Sequence, residues 1–232
     1  VWDLAAKRAG KRVWEVLGLP APEPVATAYT LSLDTPTRMA VTASANADRP
    51  LLKVKLEGPD DMARVATVRE NAPRARLIVD ANEAWTAEQY AALAPELKDL
   101  GVELIEQPLP AGADEGLAGC ARPVPVAADE AVHTAADLPG LAGKYDVVNV
   151  KLDKAGGLTA ALRLKAEAVG QGYGLMVGCM VATSLAIAPA TLLAQDAEVV
   201  DLDGPLLLAH DRDPGLTIDG SLLHPPPSAL WG

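Results

Sequence analysis

The sequence has 232 residues, half of them apolar, which fits one sizeable core better than two small domains. A formal net charge of −11 argues against nucleic acid or an anionic membrane as a partner. Aromatics are 3% of residues and Phe is absent, so the core must be Ala, Val and Leu, which suits helices packed closely on a parallel sheet.

The chain opens on a helix pattern over Val1–Leu17 with no cap before Val1. Pro20, Pro22 and Pro24 then make an extended link, so residues 1–24 read as a connection from a separate domain preceding this chain. Eight short apolar runs follow: Ala26–Leu33, Leu51–Leu56, Leu77–Val79, Val102–Ile105, Val124–Ala127, Val147–Val150, Gly174–Val177 and Val199–Leu202. Helix-like stretches separate them: Thr35–Ala47, Asp60–Asn71, Thr86–Leu100, a weak Gly112–Cys120, Thr134–Gly143, Gly157–Gly170 and Val181–Gln195. Strands alternating with helices imply right-handed βαβ units and a parallel sheet, and eight such strands close into an α/β barrel over residues 25–210. Residues 211–232 read as a Pro-rich tail on the surface.

A polar residue ends nearly every apolar run. Lys55, Asp80, Glu106, Asp129 and Lys151 recur in steps of 25, 26, 23 and 22 residues, about one βα unit each. They therefore fall at equivalent carboxyl ends of successive strands, where barrel enzymes carry their sites. Asp80, Glu106 and Asp129 would repel one another without a cation, and hard oxygen ligands suit Mg²⁺. Any one of these acids could simply cap a helix; three in register with flanking lysines point to a metal. Lys55 and Lys151 lie on opposite sides of that trio and are candidate bases. Lys53 shares a strand face with Lys55, and its like charge, with the metal's, is expected to lower the pKa of the bases. Asn82, Glu130 and Asp153, close to these positions, are candidates to orient ligands or bases.

The segments Lys53-Val-Lys55, Asp80-Ala-Asn82, Glu106-Gln-Pro, Asp129-Glu130 and Lys151-Leu-Asp153-Lys-Ala-Gly-Gly together resemble the enolase superfamily, in its muconate-lactonizing subgroup. The resemblance covers almost the whole chain and implies a (β/α)₇β modified TIM barrel preceded by an α+β capping domain. It also implies Mg²⁺ that stabilises an ene-diolate and lysine bases that remove and return its proton. Asp201-Leu-Asp203 looks like the pair that receives the ammonium group in dipeptide epimerases, although Asp203-Gly204 also reads as a turn. The implied activity is 1,1-proton transfer on a small-molecule dipeptide such as Ala-Glu, with Lys53, Asp201 and Asp203 binding substrate. A cycloisomerase or o-succinylbenzoate synthase of the same subgroup is the alternative. A non-catalytic barrel is another, but it predicts decay at some strand end and none is found.

Cys120 and Cys179 form no disulfide framework or zinc spacing. With no signal-peptide pattern and no membrane-length apolar run, the expected location is cytoplasmic. A homo-oligomer is compatible with the sequence but not fixed by it. Cys179 reads as a small buried hydrophobe at a strand end, and Trp85 as a residue packing near Asn82 or edging the site.

Overall fold

The computed structural model describes residues 1–232. Eight parallel strands follow one another around one sheet. They are β1 (Tyr29–Leu31), β2 (Leu51–Lys55), β3 (Arg76–Asp80), β4 (Val102–Glu106), β5 (Val126–Ala128), β6 (Val147–Lys151), β7 (Gly174–Gly178) and β8 (Val199–Asp201). The ends of the ring meet where Ala28 N donates to Val200 O and Leu202 N donates to Thr27 Oγ1, both at 2.8 Å. The expected (β/α)₇β barrel is what forms.

The barrel interior has two levels. A floor of eight apolar residues, one from each strand or its lead-in and including Leu51, Ile78 and Leu104, forms its own cluster. Alternate residues of a strand share a face, so two positions further along a polar layer stands on that floor, except on β7, where the position is Gly178. The outer faces carry Leu52, Val54, Val79, Ile105 and Val150 into a larger core of 50 residues beneath the helices.

Local chemistry explains the crossovers. Thr35 accepts a hydrogen bond from Arg38 N ahead of the helix Pro36–Ala45, with proline in the first turn where no N–H is needed. Thr86 and Gln89 form a reciprocal capping box at the helix Ala87–Asp99. Asp61–Asn71 and Leu158–Gly170 supply two further crossover helices.

Several expected elements are broken, each at an identifiable residue. The Val1–Leu17 pattern is two helices, Trp2–Ala9 and Val13–Leu17, because Gly10 turns left-handed at φ 63°. Val181–Gln195 is split into Ser184–Ile187, Ala190–Leu193 and a 3₁₀ turn at Ala194–Asp196, with Pro189 lacking the N–H a continuous helix would need. Gly112–Cys120 and Thr134–Gly143 tighten to the 3₁₀ helices Glu115–Gly119 and Ala135–Leu141. Ala26–Leu33 is not one strand: Val25–Ala26 leaves the barrel to pair antiparallel with Leu222–Leu223. The tail is likewise more than a surface wrap. Leu230 and Trp231 are buried, Arg12 donates to Pro226 O at 2.7 Å, and Gly232 N donates to Asp3 at 2.7 Å. No helix is long and apolar enough to cross a membrane.

Candidate active site

The register shows how the strand ends meet. Lys55 pairs with Asp80 and Asp80 with Glu106, so these three share one level. Glu106 then pairs with Ala127, and Ala127 with Val147, so Asp129 and Lys151 stand higher by two and four residues. The steps are even, as tilted strands require if side chains are to stay on the inner face. The sequence pattern of equivalent positions is thus a staggered ring. Lys55 on β2 and Lys151 on β6 lie four strands apart, on opposite walls of an eight-stranded barrel.

Lysines and carboxylates interleave around this ring. Lys53 Nζ, buried on the floor, lies 3.0 Å from Asp80, 2.7 Å from Glu106 and 2.8 Å from Asp201. Lys55 Nζ donates to Asp80 at 2.7 Å and to Asn82 at 2.9 Å. Lys151 Nζ donates to Asp129 at 2.5 Å and stands 3.9 Å from Glu106. Asn82 reaches Glu130 at 3.3 Å, and Asp203 accepts from Thr30 N at 2.6 Å. Asp153, by contrast, is exposed on the short helix Leu152–Ala155, so the expected orienting role is not what its placement supports. The turn begins at Lys151 and swings Asp153 outward while bringing its neighbour Lys154 back to Asp129.

Lys154 is one of three residues in contact with the candidate ligands that the sequence did not single out. The others are Asn149 and Gln107. Asn149 donates to Glu106 at 2.7 Å. Gln107, fully buried with φ 35°, accepts from Asp129 N at 2.8 Å and Ala131 N at 3.1 Å and donates to Tyr145 at 2.9 Å. It therefore fixes the backbone that carries Asp129. Asn149 was findable, since it precedes Lys151 by two as Lys53 precedes Lys55. Gly178 opens the wall beside them: a Cβ there would lie 2.7 Å from Asn149 Oδ1 and 3.0 Å from Lys151 Cε. Trp85 does not edge the site; it is buried and donates to Asp61 at 2.8 Å. Cys179 is only half-buried and lines the cavity.

The electrostatics follow from this crowding. Burial, then the charge of Asp80, pushes Glu106 up to about 8, whereas Asp80 and Asp129 fall below the usual carboxylate range because their lysines outweigh burial. Burial, then Asp129, raises Glu130. Burial, then Asp201, pushes Asp203 up to about 6. Without a metal between the carboxylates, neither Lys151 nor Lys53 is lowered. Burial works in that direction, but Asp129 and Glu106 raise Lys151, and Asp201, Asp80 and Glu106 hold Lys53 well above its usual value.

Asp80, Glu106 and Asp129 are not drawn to metal-ligand spacing, because ammonium groups stand between them. Their chemistry nevertheless fits a hard divalent cation. Three buried carboxylates come from adjacent strands, and Glu106 Oε2 meets the Lys53 ammonium at 2.7 Å without a well-directed hydrogen bond. Above them a cavity of about 340 Å³ opens, bounded by Thr30, Glu130, Lys154, Met180 and Leu207 as well as by Lys53, Lys55 and Lys151.

Residues 38–227 match the family described as enolase C-terminal domain-like. The chain belongs to this family. Within it, the chain is 47% identical to the L-Ala-D/L-Glu epimerase of Escherichia coli K12, over 97% of this chain and 70% of that protein. It is also 47% identical to an N-acetyl-D-glutamate racemase of a Pseudoalteromonas species, over 100% of this chain and 73% of that protein. An enolase family member from Agrobacterium tumefaciens with homology to dipeptide epimerases, solved with sodium and L-Ala-L-Glu, superposes with a TM-score of 0.97. The identity is 53%, over 100% of this chain and 71% of that one. A dipeptide epimerase from Cytophaga hutchinsonii, complexed with Mg and D-Ala-L-Val, gives 0.89 at 27% identity, over 97% of this chain and 65% of that one.

Proposed function

We propose that this protein epimerises dipeptides of the Ala-Glu type, with Mg²⁺, by moving the α-proton of the C-terminal residue between Lys55 and Lys151. The observation that carries the dipeptide reading is the acceptor pair at β8. Asp201 Oδ1 is buried without a hydrogen-bond partner, and Asp203 beside it is held by Thr30 alone. Two desolvated carboxylates with free acceptor capacity suit a primary ammonium, which brings charge and three donors. An N-acetylated amino acid offers one neutral N–H, and substrates of a cycloisomerase or o-succinylbenzoate synthase have no ammonium to offer. This favours the dipeptide over the N-acetylglutamate that one 47%-identical relative is named for.

Asp80, Glu106 and Asp129 would hold Mg²⁺, which when bound supplies positive charge to the substrate carboxylate as the adjacent α-proton leaves. Lys55 and Lys151 face the α-carbon from opposite walls, the arrangement that inverting a stereocentre requires. Lys53 ties Asp80, Glu106 and Asp201 together from below and so positions both the metal end and the ammonium end.

The test is α-deuteration in D₂O with Mg²⁺, using the full-length protein and L-Ala-L-Glu, L-Ala-D-Glu and N-acetyl-D-glutamate. Exchange of the dipeptides should exceed that of N-acetyl-D-glutamate by about tenfold or more, the worth of one charge-assisted contact. Lys151→Ala should lose exchange from one dipeptide epimer while the other still exchanges at the remaining lysine. Preference for N-acetyl-D-glutamate would overturn the dipeptide reading, and undiminished epimerisation in both directions by Lys151→Ala would overturn the two-lysine scheme.

A further inference from the structure

A run of buried polar groups leads away from Asp129 to the loop after β4 and to the residues that enter β6. Lys144 Nζ donates to Asp114 Oδ1 at 2.5 Å, and the Tyr145 hydroxyl donates to Asp114 Oδ2 at 2.6 Å. The same hydroxyl accepts from Gln107 Nε2 at 2.9 Å, and Gln107 Oε1 accepts from Asp129 N and Ala131 N. Asp114, Tyr145 and Gln107 are all buried, and none of them lines the catalytic cavity.

Each link has a direction. Burial, then the bond to Asp114, raises the Tyr145 hydroxyl, so it keeps the proton that it donates. Its oxygen is left to accept, which selects the Nε2 side of Gln107. Leu109 O, an acceptor only, takes the other Nε2 proton at 2.8 Å. The amide oxygen is thereby turned to the two N–H groups on either side of Glu130. Gln107 needs this hold, because it sits at φ 35°, a conformation that a non-glycine residue keeps only where its surroundings fix it. Asp114 carries a second sign of the same arrangement. It directly precedes the 3₁₀ helix Glu115–Gly119, where an aspartate ordinarily caps, yet its side chain makes no capping bond. Both of its oxygens turn instead to Tyr145 and Lys144.

We infer that Tyr145 and Asp114 are positioning residues for the metal site. Acting through Gln107, they set the backbone from Asp129 to Ala131, and with it the Asp129 carboxylate, for a divalent cation. Neither touches a candidate ligand directly. Their hold is passed on because every donor and acceptor between them and Asp129 is already committed. The inference rests on Asp129 as a metal ligand in the reading above.

The experiment titrates Mg²⁺ calorimetrically into the full-length protein and measures the melting temperature with Mg²⁺ and with a chelator. Tyr145→Phe removes the hydroxyl alone and should weaken Mg²⁺ binding about tenfold. It should also shrink the rise in melting temperature that Mg²⁺ gives, whereas loss of a purely structural bond lowers both temperatures equally. Tyr90→Phe supplies that comparison. Tyr90 is buried on the helix Ala87–Asp99 with its hydroxyl 3.4 Å from Ala121 O, and its loss should leave Mg²⁺ affinity unchanged. Asp114→Ala should match Tyr145→Phe, while the milder Asp114→Asn keeps an oxygen for the hydroxyl and should stay within about threefold of the wild type. Tyr145→Phe combined with Asp114→Ala should bind Mg²⁺ as the weaker single variant does, since both act along one path. Tyr145→Phe, which conserves the ring, decides the matter even where Asp114→Ala fails to fold. Undiminished Mg²⁺ affinity in Tyr145→Phe, or losses that multiply in the double variant, would overturn the inference. Absence of Mg²⁺ binding by the unaltered protein would overturn the parent reading instead.

Discussion

Asp203→Asn separates what Asp203 costs the fold from what it gives the substrate. Asp203 is 3% exposed, and burial followed by the charge of Asp201 raises its pKa from 3.8 to about 6. A carboxyl with a raised folded pKa is penalised when ionised: the penalty is absent below about pH 4, where it is protonated folded or unfolded, and complete above about pH 6. At about 1.4 kcal/mol per unit, and with Asp201 sharing the titration, this is about 1–3 kcal/mol at neutral pH. Asparagine removes the charge and still accepts the Thr30 N–H. The variant should therefore melt roughly 3–8 °C higher at pH 7.5, and the gain should vanish near pH 4. The same change removes one ionic partner of the substrate ammonium, so kcat/KM for L-Ala-L-Glu should fall by about 10²-fold. In the wild type, KM should rise as the pH drops below about 6, where Asp203 takes up its proton. Differential scanning calorimetry across pH, paired with deuterium-exchange kinetics, reads both effects. A lower melting temperature at pH 7.5, or a gain independent of pH, would refute the electrostatic argument; unchanged kcat/KM would refute the role of Asp203 in binding.

Two further substitutions probe the walls of the site. Gly178→Ala places a methyl 2.7 Å from Asn149 and 3.0 Å from Lys151, so one of them must move. Since displacement by an ångström costs about 10²-fold, turnover should fall to that extent while the melting temperature changes little, and normal turnover would show that Lys151 has room to spare. Gln107→Leu leaves the buried N–H groups of Asp129 and Ala131 without an acceptor. It should destabilise the protein by about 2–5 kcal/mol in denaturant unfolding and weaken Mg²⁺ binding measured calorimetrically; full stability would mean other groups satisfy those donors.

The barrel was legible because its strands are short apolar runs at near-constant spacing, each with a polar residue at its end. Parity along a strand also placed Lys53 beside Lys55. Less legible was whatever depends on the geometry after a strand ends. Asp153 and Lys154 differ by one position, yet a short helix turns the first outward and the second onto Asp129. Gln107 follows Glu106 in a left-handed backbone conformation that nothing in Glu-Gln-Pro declares. Asn149 was hidden differently: inside Val-Val-Asn-Val it reads as a strand interior unless its parity with Lys151 is used. The lysine pKa expectation counted neighbouring lysines and a metal but not the facing carboxylates, which raise Lys151 against burial when no cation shares them. The helix breaks follow one rule: Gly10 and Pro189 each override a periodic apolar pattern that runs straight through them.

The barrel has a seam, where the lead-in to β1 meets β8 through Ala28, Thr27 and Val200 rather than through a long ladder. Asp203 sits just past that junction and spans it by accepting from Thr30. In mechanical terms the clasp of the hoop is also the hook for the guest. Evolution of a new substrate preference at this hook therefore cannot proceed independently of how firmly the ring is fastened. Exchanging Asp203 for a residue suited to an uncharged guest also changes the tension at the one joint where the first and last strands are held together.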